Sequence, residues 1–170
     1  MEVLNIVSVS LLYGIVIAAV IQDLARMKIR NRLILVGLII ALICRILQGG
    51  LRVVPLCLGN IIFPVVLLYI LYLAGILGAG DIKLFSVIGC FLKFYELVYC
   101  IVMSFAAGAL LALLWMVGHR TLLSGLRSGM SYIGDLLRGN RHAYEEGGKQ
   151  NRMHFSVAIF IGLILSRWLF

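Results

Sequence analysis

Charge is what this sequence has least of. Only 13% of its 170 residues are Asp, Glu, Lys or Arg, about half the share in an ordinary soluble domain. With 63% of the chain hydrophobic, too little polar surface remains to face water on all sides. The composition predicts a polytopic membrane protein with little mass outside the bilayer. Paired cysteine motifs are also missing. Cys44, Cys57, Cys90 and Cys100 lie in or beside apolar segments and none forms a CxxC pair. They read as small buried hydrophobes, with no zinc site and no disulfide framework indicated. His119, His142 and His154 are dispersed without ligand spacing, so no metal and no cofactor is expected, and no nucleic-acid partner. No internal repeat is evident, which counts against a repeat-built transporter. The first apolar run, Val3 to Ile21, has no basic segment before it and is too long for a signal-peptide core. It reads as a retained spanning helix.

What the sequence does have is long apolar runs, at about 3–21, 33–47, 54–77, 84–92, 97–117 and 153–169. The expected fold class is all-α: a polytopic integral membrane helical bundle of about six transmembrane helices, forming a single domain over 1–170. Several runs fall short of the ~20 residues of a full crossing. The fourth, 84–92, begins inside the membrane edge, continues past Lys93, or is partly re-entrant. With the N-terminus outside, the inner segments 22–32, 78–83 and 118–152 hold eleven Lys and Arg residues against four outside. The positive-inside bias therefore favours that orientation. Leu122, Leu126, Ile133 and Leu137 recur at roughly helical spacing among Arg120, Arg127 and Arg138. The loop 118–152 is thus either an interfacial amphipathic helix held by anionic headgroups or a plain solvated basic loop.

The acids are few enough to sort individually. Glu2 is terminal, Glu96 lies in an expected outer loop with Lys93, and Asp135, Glu145 and Glu146 lie in the basic inner loop. Only Asp23 and Asp81 directly follow an apolar run. Two crossings separate them, so they share a membrane face whichever way the chain is oriented. Each is expected at a helix C-terminus, where the helix dipole disfavours a negative charge; Arg26, Lys28 and Lys83 offer structural compensation. Two neighbouring carboxylates cannot both ionise freely. One keeps a proton and can polarise a carbonyl, while the charged one can take a proton from water, the division of labour of an aspartic protease. Gly78 and Gly80 flank this chemistry. They allow unusual dihedrals or close backbone approach, as a substrate strand beside Asp81 needs; equally they suit a glycine helix terminus. Lys83 pairs with a carboxylate, contacts substrate, or anchors at the interface. Asn31 suits a cap for the second helix. Gly14, Gly37 and Gly108 read as helix-packing positions.

The segment Gly78-Ala79-Gly80-Asp81-Ile82-Lys83 resembles the GxGDxK motif of the type IV prepilin peptidases, which are GxGD membrane aspartic proteases. Asp23, followed by Ile29-Arg30-Asn31, is similar to the family's first aspartate and its downstream Ile-Pro-Asn, with Arg30 in the place of the proline. The stretch His154 to Phe160 resembles the family's last helix. The resemblance implies that Asp23 and Asp81 are the catalytic pair, with Gly78, Gly80, Lys83 and Asn31 shaping the site or binding substrate. It implies a prepilin or pseudopilin substrate, cut at the cytoplasmic face of a bacterial or archaeal membrane between a short basic leader and an apolar helix. Many family members carry an N-terminal four-cysteine zinc extension and also methylate the new N-terminus. This sequence begins at the first span, so it is similar to the short form of Flp/Tad-type pilus, competence or secretion systems, and methylation is not expected. Two other functions compete. A presenilin or signal-peptide-peptidase type of GxGD protease is disfavoured because Gln22, not tyrosine, precedes Asp23. A small transporter or channel using Asp23 and Asp81 as ion sites would place them nearer the midplane.

Overall fold

The computed structural model describes residues 2–74, 76–118 and 155–168. Those residues form six α-helices and no strand. They are α1 (Glu2–Arg26), α2 (Asn31–Gly49), α3 (Val54–Leu73), α4 (Ala79–Phe91), α5 (Phe94–Gly118) and α6 (Phe155–Trp168), with a 3-10 turn at Leu51–Val53. The chain is thus an all-α helical bundle. The proposed amphipathic segment, the three histidines, Asp135, Glu145 and Glu146 lie outside the described residues.

Four helices are long and apolar enough to cross a membrane: α1, α2, α3 with its preceding turn, and α5. Their outward faces carry Ile6, Ile21, Leu35, Ile39, Leu56, Val66, Ile70, Leu110 and Leu114 in exposed positions. This is a surface suited to lipid and unsuited to water. The chain is a multi-pass membrane protein. Helix α4 is different. Its 13 residues reach about 20 Å at 1.5 Å per residue, short of a ~30 Å hydrocarbon core. It starts five residues before the expected run and ends before Lys93. Residues Leu84 through Cys90 are all buried, and all five other helices pack on α4. It is the axis of the bundle, and protein rather than lipid surrounds it.

Close packing between apolar helices in lipid depends on small residues and re-satisfied backbone groups, because lipid gives little hydrophobic drive for helix association. Pro64, buried inside α3, removes an N–H from the ladder and frees the carbonyl of Asn60. There α4 comes closest: a Cβ added to Gly89 would lie 2.5 Å from Asn60 O. Ser86 Oγ of α4 donates to Ile61 O at 3.0 Å, and Asn60 Nδ2 donates to Leu92 O at 3.0 Å, where α4 ends. Arg45 completes that end, donating from Nε to Cys90 O at 3.2 Å and from Nη2 to Leu92 O at 2.9 Å. Helices α5 and α6 meet over Gly162, where an added Cβ would lie 2.5 Å from Ser104 N. Gly37 faces Val87 and Ile15, and Gly108 faces Phe155, as packing glycines do. Gly14 does not: nothing lies within 4 Å of a Cβ there. Cys57, Cys90 and Cys100 are buried, Cys44 is half-buried, and all four are free thiols.

Candidate active site

The site is assembled at one end of the bundle, where α1 stops, α2 and α4 begin, and α6 begins. Helix α1 runs past the expected Ile21 to Arg26, so Asp23 lies within it, close to its C-terminus. The Met27 N–H donates to Asp23 O at 2.7 Å. Met27 has φ 50, a left-handed conformation that costs an L-residue roughly 1–2 kcal/mol and turns the chain sharply toward α2. Arg30 follows with φ −72 and ψ 133, the region that proline occupies. The exchange of proline for arginine therefore leaves the backbone of this turn proline-like. It also adds an N–H, which donates to Gln22 Oε1 at 3.1 Å.

Asn31 does not cap α2. Arg30 occupies the cap position without a side-chain hydrogen bond, and Asn31 is the first helical residue. A side chain already inside the first turn is badly placed to reach that turn's free N–H groups. The Asn31 amide turns instead to α4, where its Oδ1 accepts from Lys83 Nζ at 2.9 Å. Lys83 is thus occupied by α2, and among the described residues it forms no ion pair with either aspartate. The one ion pair among them, Arg167 with Glu96 at 3.6 Å, belongs to the helix ends opposite the site.

Asp81 stands elsewhere than expected. Helix α3 ends at Leu73, and Asp81 is the third residue of α4. The expected C-terminal siting is therefore corrected: Asp81 faces the positive end of a helix dipole, which favours a carboxylate. Its Oδ2 accepts from the Gly78 N–H at 3.3 Å, and its own N–H donates to Gly78 O at 3.1 Å. Gly78 caps the helix in ordinary extended conformation, φ −78 and ψ 147, so no unusual dihedral explains it. What a side chain there would do is crowd the carboxylate: a Cβ would lie 3.0 Å from Asp81 Oδ2. Gly80 permits close approach, since a Cβ there would lie 3.4 Å from Cβ of Ile29 in the α1–α2 turn. The glycines thus let the start of α4 sit against that turn, which brings Asp81 toward Asp23. Leu77, buried in the core, anchors the approach to α4.

Asp81 lies at the mouth of α4, outside the four helices with spanning length. Burial pushes its carboxyl up from the usual 3.8 to about 6, and the Asp23 charge adds to this, against a lowering by the Gly78 N–H. The Asp23 charge thus reaches the Asp81 carboxyl. All six residues singled out by sequence (Asp23, Asn31, Gly78, Gly80, Asp81 and Lys83) come to this one end of the bundle.

A seventh does so as well. Ser156, fully buried on α6, donates from Oγ to Asp23 Oδ2 at 2.6 Å. It lies inside the stretch that resembles the family's last helix, but nothing in a lone serine at the start of an apolar run marks it for this contact.

The model of the type IV leader peptidase family matches residues 10–113, a span that holds both aspartates and the glycine–lysine motif. No curated protein and no solved structure matched the chain. A family match over more than half of the sequence, carrying Asp23 and Asp81 at one end of a helical membrane bundle, makes this chain a member of the type IV leader peptidase family.

Proposed function

We propose that this protein is a membrane aspartic endopeptidase with Asp23 and Asp81 as its catalytic pair. It removes the short basic leader from type IV prepilin or pseudopilin-like precursors at the cytoplasmic face. The observation that carries this reading is the gathering of Asp23 and Asp81, with the glycine–lysine motif, at one end of the bundle. Burial first and the Asp23 charge second push Asp81 up to about 6, which suits a carboxyl that holds a proton beside a charged partner. Family membership supplies the reaction class. The positive-inside bias supports the orientation.

The reaction needs one charged and one protonated carboxyl. The charged one takes a proton from water as the water oxygen bonds to the scissile carbonyl carbon, while the protonated one gives its proton to the carbonyl oxygen. The resulting gem-diol collapses as the carbon–nitrogen bond breaks. The first carboxyl then returns its proton to the departing amine, and a gem-diol proton returns to the second. Water is consumed, and the pair ends as it began. The site sits at the helix ends, as does the bond between a cytoplasmic leader and a membrane helix, so enzyme and substrate meet at the same depth.

Gel-shift processing of a co-expressed prepilin by wild type, Asp23→Asn and Asp81→Asn tests the reading. Both variants should accumulate to normal levels and leave the leader in place. Full processing by either one rejects the pair. Processing by the reconstituted protein in the presence of a chelator should be undiminished, which separates this chemistry from a metalloprotease.

A further inference from the structure

We propose that Ser156 is a positioning residue that fixes Asp23 as the ionised, water-activating member of the pair and leaves the catalytic proton on Asp81. This rests on the peptidase function proposed above.

A serine hydroxyl has one proton to donate, and on a helix it is normally spent on a carbonyl of the preceding turn. Ser10 donates to Ile6 O, Ser104 to Cys100 O and Ser166 to Leu163 O. Ser156 is the second residue of α6. Its side chain is fully buried away from water. The proton goes to Asp23 Oδ2, and the 2.6 Å separation falls in the range of a charge-assisted bond from hydroxyl to carboxylate.

The helix dipoles act in the same direction. Asp23 sits near the C-terminus of α1, where a negative charge is disfavoured, but its Oδ2 meets the first turn of α6, where a negative charge is favoured. The hydroxyl bond and the α6 terminus together offset the α1 terminus. Among the described residues Asp81 has only the longer 3.3 Å contact from the Gly78 N–H. No ion pair among the described residues creates the difference. The cations at this end among the described residues, Arg26, Lys28, Arg30 and Arg32 from α1, the turn and α2, and Lys83 from α4, are all exposed. Among the described residues none lies within 4 Å of either carboxylate.

With roles assigned, Asp23 removes the proton from water and the water oxygen bonds to the carbonyl carbon. The Asp81 proton passes to the carbonyl oxygen. On collapse Asp23 protonates the leaving amine and Asp81 recovers a proton from the gem-diol. Ser156 touches neither substrate nor water in this scheme; it acts through Asp23.

The test is the pH profile of kcat/KM for cleavage of a synthetic prepilin-type peptide, a basic leader joined to an apolar helix. It is measured with the full-length protein in liposomes. Ser156→Ala should lower the value at about pH 5, on the acidic side of the profile, by about tenfold or more, the loss that accompanies removal of a hydrogen bond to a charged group. The acidic limb should move to higher pH, and part of the loss should be recovered there. Ser156→Thr, which keeps the hydroxyl, should keep the wild-type limb. An unchanged profile in Ser156→Ala overturns the proposal, as does a loss that is equal at every pH and accompanied by a lower melting temperature. Asp23→Asn and Asp81→Asn are assayed alongside. If both are inactive while Ser156→Ala behaves as wild type, the peptidase function stands and only the role of Ser156 fails. If either aspartate variant cleaves fully, the function itself fails.

Discussion

Lys83 Nζ donates to Asn31 Oδ1 at 2.9 Å, across 52 positions of sequence. The lysine of the glycine–aspartate motif is thereby held by the first residue of α2, and the contact ties the start of α4 to the α1–α2 turn. Lys83→Ala and Asn31→Ala should therefore lower processing by similar, partial amounts. The double variant should be little worse than either single one, as expected for two ends of one interaction. An exposed contact of this kind is worth about 0.5–1.5 kcal/mol. A double-mutant cycle on processing rate and melting temperature measures it. Complete loss of activity in Lys83→Ala alone would make the lysine a contact for substrate instead.

Asp81 gives the protein a pH dependence with a definite sign. Its carboxyl is raised from 3.8 to about 6 in the folded chain. Between those values the folded state binds the proton and the unfolded state has released it. Stability therefore falls as pH rises through that window, and the full cost is present above it. Asp81→Asn removes this cost. The variant should melt higher than wild type near neutral pH, with the difference vanishing as pH falls to about 4. Melting curves across that range check it, and an equal difference at all pH values would show that the carboxyl is not shifted. In the wild type the proton needed on Asp81 is lost above about 6, so the alkaline limb of processing should begin there.

The α1–α2 turn offers a test through proline. Arg30 has φ −72 and ψ 133, so Arg30→Pro fits without moving the backbone. It costs only the bond from the Arg30 N–H to Gln22 Oε1, about 1 kcal/mol, and proline's smaller unfolded-state entropy works against that loss. Arg30→Pro should keep at least half of the processing activity. Gln22→Ala should destabilise the wild type but have little effect in the Arg30→Pro background, as thermal melting of the four proteins would show.

Packing far from the carboxylates should also reach them. A Cβ at Gly162 would lie 2.5 Å from Ser104 N and 2.6 Å from Ser104 Cα, and backbone cannot yield as a side-chain tip can. Gly162→Ala should push α6 off α5, at a cost of about 1–3 kcal/mol. Processing should drop as well, because Ser156 rides on the first turn of α6. Gly14→Ala is the matched control, with nothing within 4 Å of the added atom. It should melt at or slightly above wild type, since alanine is the better helix former.

The sequence by itself determined the class of this protein and the shared side of Asp23 and Asp81. Six apolar runs in a charge-poor chain leave helices as the means of crossing lipid, because every backbone polar group must be satisfied within the segment. Six helices stand at those places. An even number of crossings between Asp23 and Asp81 returns the chain to the same side, and both aspartates do lie at one end of the bundle. Helix boundaries were less legible. Apolar runs end where polar residues begin, but hydrogen-bonded turns continue through them. Thus α1 extends through Asp23 to Arg26, and α4 begins at Ala79, five residues before its apolar run. That boundary reversed the electrostatics of Asp81, from the tail of one helix to the head of another. Only the tertiary structure decided that Asn31 serves Lys83 rather than its own helix, that Arg30 keeps the turn of a proline, and that Ser156 reaches Asp23 from 133 positions away. Each depends on which helix end lies beside which. That is set by close contacts at Gly80, Gly89 and Gly162 between segments distant in sequence, and hydrophobic patterning along one segment carries no record of its neighbours.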